Sequence, residues 1–120
     1  MFGWLRKVFA GTTRPTPWSV SVVDDVIITS DGQGTERRVD AADLRRVVVA
    51  TDDSGPWDDD VVFLLYAERA DPAALFPLEA AGCHDFVGWM SRLPGYRDHE
   101  LASAMSSTRV ARFLVYQAEA

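Results

Sequence analysis

Residues 82–117 read GCHDFVGWMSRLPGYRDHELASAMSSTRVARFLVYQ, and this stretch decides the fold because it holds two helical patterns, their stop signals and a closing strand. Within 84–93, Phe86, Val87, Met90 and Leu93 line one helical face, the spacing of an amphipathic helix. Pro94-Gly95 ends it, since proline denies continuation and glycine permits a left-handed exit. Asp98 is placed to cap a second helix running through Met105, with Leu101, Ala104, Met105 and Thr108 on one side. Residues 110–117, VARFLVYQ, are apolar on both faces apart from Arg112. They read as a strand that rejoins a sheet between neighbours or beside the first strand.

Upstream, the period changes from that of helices to that of strands. Val20 and Val22 alternate, Asp24-Asp25 interrupts, and Val26, Ile27 and Ile28 resume, giving one bent strand or two short ones. Ser30-Asp31-Gly32-Gln33-Gly34 is a hairpin signal, because Asp-Gly and the second glycine tolerate the positive φ of such turns. Residues 35–39 then pair back. A corner at 40–44 leads to a strand over 45–51 containing Val47, Val48 and Val49. The run 61–67 is apolar enough for a central strand, and 74–78 forms a strand that Pro77 confines to an edge or an end. The sum is an α+β fold: an antiparallel sheet of five to six strands, two C-terminal helices and a closing strand.

The chain has 120 residues, of which 48% are hydrophobic and 25% charged, enough for one core closed without disulfides or metals. It divides into an amphipathic N-terminal segment with a proline-containing tether over 1–17, and one globular domain over 18–120. In the first part Phe2, Leu5, Val8 and Phe9 fall at helical spacing with Trp4 alongside, and Arg6 and Lys7 turn elsewhere. Arg6 and Lys7 also interrupt any secretory core, and no apolar run approaches the roughly 20 residues that span a bilayer. The single cysteine, Cys83, excludes an intrachain disulfide and suits a reducing compartment, so a cytoplasmic protein is expected. Residues 1–18 carry a net +3, leaving −9 on the rest of the chain to reach the total of −6. Such an acidic body argues against nucleic-acid binding and fits a basic protein partner.

The pattern Asp24-Asp25-Val26-Ile27, a glycine turn, then Val39, Asp43-Leu44, Val47 and Val49 resembles the first three strands of bacterial pleckstrin-homology-like domains. Gly55-Pro56-Trp57 with Asp60-Val61 and Phe63, Leu93-Pro94-Gly95-Tyr96, and Ala104-Met105 with Ser107-Thr108 and Ala111-Arg112-Phe113 together look like a family of small bacterial proteins. That resemblance spans most of 20–117 and supplies no catalytic residues. Ala41 stands where such sequences usually have an aromatic residue, and Leu78-Glu79 replaces a more polar turn. The likeness implies a fold and a bacterial source.

Several groups invite chemistry. Asp52, Asp53, Asp58, Asp59 and Asp60 form the densest carboxylate group, yet their spacing departs from the alternating acids and terminal glutamate of a calcium loop, so a solvated acidic loop is expected. Cys83 and His84 suggest a thiolate–imidazole pair, but neighbours on a helix diverge in direction; a buried thiol beside an exposed histidine is the simpler reading. His99, between Asp98 and Glu100, reads as an exposed first-turn residue, and Ser106-Ser107-Thr108 as a helix stop. Trp57 stands among acids, and aromatic side chains are enriched at interaction hot spots. Trp57, Asp58, Asp59 and Asp60 are therefore the expected binding surface.

The expected function is a non-enzymatic adaptor domain that works through protein contacts without a cofactor or metal. Residues 2–9 offer a weak membrane contact, or a surface that docks on their own domain or on a second copy in a homodimer. Two alternatives stay open: an immunity-type inhibitor that covers a basic toxin or nuclease, and a small hydrolase using Cys83 or the acids of 52–60.

Overall fold

Asp24 and Asp25 both take positive φ, 52° and 61°, the geometry of a two-residue hairpin turn whose twist matches that of its strands. They join strand β1 (Ser19–Val23) to β2 (Val26–Ser30), which pair antiparallel from Val23 against Val26 outward. The two-strand reading of this region is therefore the one that holds. The next turn is held by Asp31, whose Oδ1 accepts the amides of Gln33 at 2.7 Å and Thr35 at 3.0 Å. Those two donors hold the Asp31 carboxyl below its ordinary 3.8. Strand β3 (Glu36–Asp40) returns beside β2. A single 3₁₀ turn, Ala41–Asp43, makes the corner.

The computed structural model describes residues 17–51, 61–107 and 110–118. Residues 1–16 and 52–60, which carry the expected N-terminal helix and acidic loop, lie outside them. After the corner come β4 (Arg46–Thr51), β5 (Val61–Tyr66) and β6 (Ala74–Pro77). The helices α1 (Cys83–Met90) and α2 (Asp98–Ser106) follow, then β7 (Ala111–Gln117). Two antiparallel sheets result, β1-β2-β3 and β6-β5-β4-β7. This corrects the expectation of one sheet of five to six strands: among the described residues there are seven, divided between two sheets. Pro77 does lie at the end of an edge strand, where its missing N–H breaks no ladder.

The closing strand also lies elsewhere than expected. It pairs with β4 alone at the sheet's other edge, with a bulge between Val47 and Val48. Half of its free side is then covered by the segment between the helices: Arg97 N donates to Val115 O at 2.8 Å and Gln117 N to Gly95 O at 3.1 Å. That bridge explains a second correction. Asp98 does not cap α2; Arg97, held extended by its bond to β7, occupies the cap, and Asp98 enters the first turn with its Oδ1 accepting the Tyr96 hydroxyl at 3.2 Å. A carboxylate in that turn still suits the helix dipole.

One apolar cluster joins all layers. Phe63 and Phe76 stack at 5.1 Å between centroids, and Phe86 of α1 stands edge-on to both, 6.3 Å and 5.2 Å away. Val47 and Val49 of β4, Leu65 of β5, Val115 of β7 and Leu101 and Ala104 of α2 complete this side, and Val20, Ile27 and Val39 bring in the three-stranded sheet. Both helices and the small sheet thus bury their apolar residues against the same face of the large sheet.

Candidate functional site

Strand alternation sends every second residue of the large sheet to the opposite face. Since Phe63, Leu65, Phe76, Val47 and Val49 point inward, Val62, Leu64, Leu75, Val48 and Ala50 point outward. The register aligns Leu75 with Leu64, Leu64 with Val48, and Val48 with Leu114. A straight apolar row therefore crosses all four strands. The next row holds Val62, Ala50 and Arg112, again in register. None of these residues belongs to the core cluster or packs against it; Leu75 is 38% exposed, while Val48, Ala50, Val62, Leu64 and Leu114 are half-buried. An antiparallel sheet that faces water on one side ordinarily carries polar residues there; here the outward positions are aliphatic, and every described helix lies on the inner side.

Among the described residues, charge sits only at the margins of this face. Arg46, cross-strand from Tyr66, lays its guanidinium over the phenol ring at 4.2 Å from the centroid, a cation–π contact. Tyr66 is 6% exposed yet outside the core cluster. Arg112 is exposed in the second row. An apolar centre with an aromatic and two arginines at its rim has the composition of a protein-recognition surface.

The residues singled out by sequence are not gathered at one place. Trp57, Asp58, Asp59 and Asp60, with Asp52 and Asp53, lie outside the described residues. Cys83 is buried at the start of α1, packed in the core, while His84 is exposed. His99 is exposed, with Nε2 3.7 Å from a Glu100 carboxylate oxygen. Ser106 Oγ lies within 3.2 Å of the Ala102 and Ser103 carbonyls, so the serine caps the helix end. Among the described residues no group of three His, Cys, Asp or Glu side chains could hold a metal. A separate open depression of about 520 Å3 lies beside Arg37, Asp43, Glu68, Arg69 and Asp71, all exposed and of both signs.

Burial pushes the Cys83 thiol from 9.0 up to about 12, which keeps it neutral, and a thiol is a poor nucleophile. Tyr96 is likewise raised to about 12, first by desolvation and then by the Asp98 carboxylate. Both folded-state values exceed the unfolded ones, so their stabilisation is complete below about pH 9 and is lost as pH rises toward 12. Urea midpoints are expected to stay level up to pH 9 and then fall, with Cys83→Ala delaying the onset. For the thiol the limiting slope is about 1.4 kcal/mol per pH unit. Iodoacetamide at pH 7.5 should label Cys83 only in urea; rapid labelling of the folded chain would contradict the burial.

No protein-family model matches the chain, and no curated protein or solved structure does. No helix among the described residues is long and apolar enough to cross a membrane. The outward sheet face escaped the sequence reading, although its signal was present: 61–67 is an apolar run, and 110–117 is apolar on both faces apart from Arg112.

Proposed function

We propose that this chain is a non-enzymatic protein-interaction domain whose recognition surface is the outer face of the four-stranded sheet. The observation that carries the reading is the in-register row Leu75, Leu64, Val48 and Leu114, lying on the side away from both helices and the small sheet. Apolar surface of this kind is costly to hydrate, and contiguous patches on monomers mark interaction sites. Net charge favours a basic partner over the body as a whole. At this face, however, Arg46 and Arg112 call for carboxylates around an apolar centre. The pleckstrin-homology-like relationship belongs to the same proposal and draws support from the β1–β3 meander leading into Val47 and Val49.

Leu64 is the central probe, since it is half-buried, outward and clear of the core. With the immobilised chain presented to a bacterial lysate, the retained partner should drop at least tenfold on Leu64→Asp, the scale of a central hot spot. The thermal midpoint should move by only a few degrees. Identical captured proteins from wild type and variant would sink the assignment of this face.

A further inference from the structure

We infer that the open depression between β3, the 3₁₀ corner and the β5–β6 turn is a binding site for a small zwitterion whose ammonium and carboxylate stand apart, a molecule of the dipeptide class. The site shares no residue with the outer row of the large sheet and needs no protein partner.

The walls of the depression follow from the fold. Alternation along β3 puts Arg37 on the same side as Val39, which is buried in the core. Arg37 is nevertheless exposed, so at this end the inner side of the small sheet opens to solvent, and the depression of about 520 Å3 begins there. Asp43, in the corner, continues that wall. The opposite wall is the turn over 67–73, closed by Ala73 N donating to Leu65 O at 2.8 Å. Arg45 fastens one wall to the other. Its Nη1 donates to Ala42 O at 3.1 Å, its Nη2 lies 3.8 Å from a Glu68 carboxylate oxygen, and its amide donates to Tyr66 O at 2.8 Å.

The lining selects the ligand. Ala67, Pro72 and Ala73 give it half-buried apolar surface. Around them stand Arg37 and Arg69 of one sign and Asp43 and Asp71 of the other, all exposed. Among the described residues none of these four side chains takes an ion pair or a hydrogen bond, although each has opposite charges in the same hollow. A bare anion or cation is disfavoured, since it would face like charges. A ligand with both signs meets both sets: the guanidinium fork matches a carboxylate, and aspartate oxygens accept from an ammonium. An α-amino acid carries its two charges on one carbon and serves only one side. A dipeptide sets them a peptide unit apart and presents small side chains to the alanines and the proline. The volume lies within the roughly 300–1,000 Å3 of small-molecule sites.

Nitrogen-15 correlation spectra of the full chain, titrated with L-alanyl-L-alanine, test this. Amides of Arg37, Asp43 and the 67–73 turn should shift and saturate with a dissociation constant of about 1–10 mM, the strength open to so small a ligand. The N-acetylated dipeptide, the dipeptide amide and free alanine should each bind about fivefold more weakly, the scale of one exposed ion pair. Arg37→Gln/Arg69→Gln should erase the difference between the dipeptide and its amide and keep that between the dipeptide and its acetylated form; Asp43→Asn/Asp71→Asn should do the reverse. These sites are exposed, so thermal midpoints should stay within a few degrees of wild type. Leu64→Asp, the probe of the outer sheet face, should bind the dipeptide unchanged. Shifts that rise linearly to about 50 mM, equal binding of the blocked forms, or double variants that discriminate as the wild type does would each overturn the inference.

Discussion

Phe63→Ala is expected to destabilise the domain by about 3–5 kcal/mol, the range for large-to-small changes at well-packed aromatic sites. At about 4 °C per kcal/mol for a domain of this size, the thermal midpoint should fall by roughly 12–20 °C. Phe63 is fully buried, stacks on Phe76 and meets the edge of Phe86. Its removal takes away one member of a triad that fastens α1 to two adjacent strands. The surrounding residues belong to a sheet and a helix already fixed by their hydrogen bonds, so the cavity collapses little. Phe63→Leu, which keeps most of the volume, should cost about half as much. Urea titration followed by far-UV circular dichroism measures both, and a loss below about 1 kcal/mol for the alanine variant would mean that the triad is not the centre of the core.

The second large effect belongs to two glycines that touch backbone. Gly82 has φ +88° and Gly95 φ +97°. A Cβ at Gly82 would collide with the Val20 carbonyl oxygen, and one at Gly95 with that of Gln117. Left-handed φ alone costs an alanine about 1–2 kcal/mol, and the carbonyl cannot yield as a flexible side chain would. Each Gly→Ala change is expected to cost about 2–4 kcal/mol. Gly88 supplies the control, because it sits in α1 with nothing near its missing side chain; there alanine should stabilise by about 0.5–1 kcal/mol. Equal midpoints for Gly88→Ala and Gly95→Ala in the same denaturation series would refute the contact argument.

Local chemistry was legible wherever one residue type does one job. Asp31-Gly32 marked its turn and Pro77 its edge, because positive φ and a missing donor act within a few bonds, whereas the first helix ends at Met90, ahead of the stop expected at Pro94-Gly95. The split into two sheets was not legible. A period of two tells which residues share a face and says nothing of which strand lies alongside. The expected cap at Asp98 failed for a related reason: Arg97 is claimed by Val115 from another strand, and no local propensity records that. The candidate face was half visible. Residues 61–67 read as apolar enough for a central strand and 110–117 as apolar on both faces apart from Arg112, but an apolar run says nothing of which face the described elements cover.

The two glycine contacts have a bearing on how this chain can vary in length. Gly82 joins the start of α1 to β1 of the small sheet, and Gly95, soon after its end, sits against β7 of the large one. The helix between them acts as a spacer that sets the tilt of one sheet on the other. One inserted residue would turn everything beyond it by about 100° and move it about 1.5 Å, dislodging Phe86, Met90 and the Gly95 contact together. Insertions at the Asp31–Thr35 turn or the exposed 68–71 turn would change a surface only. Lineages of this domain should therefore differ in the lengths of those two turns and keep the spacing from Gly82 to Gly95 constant.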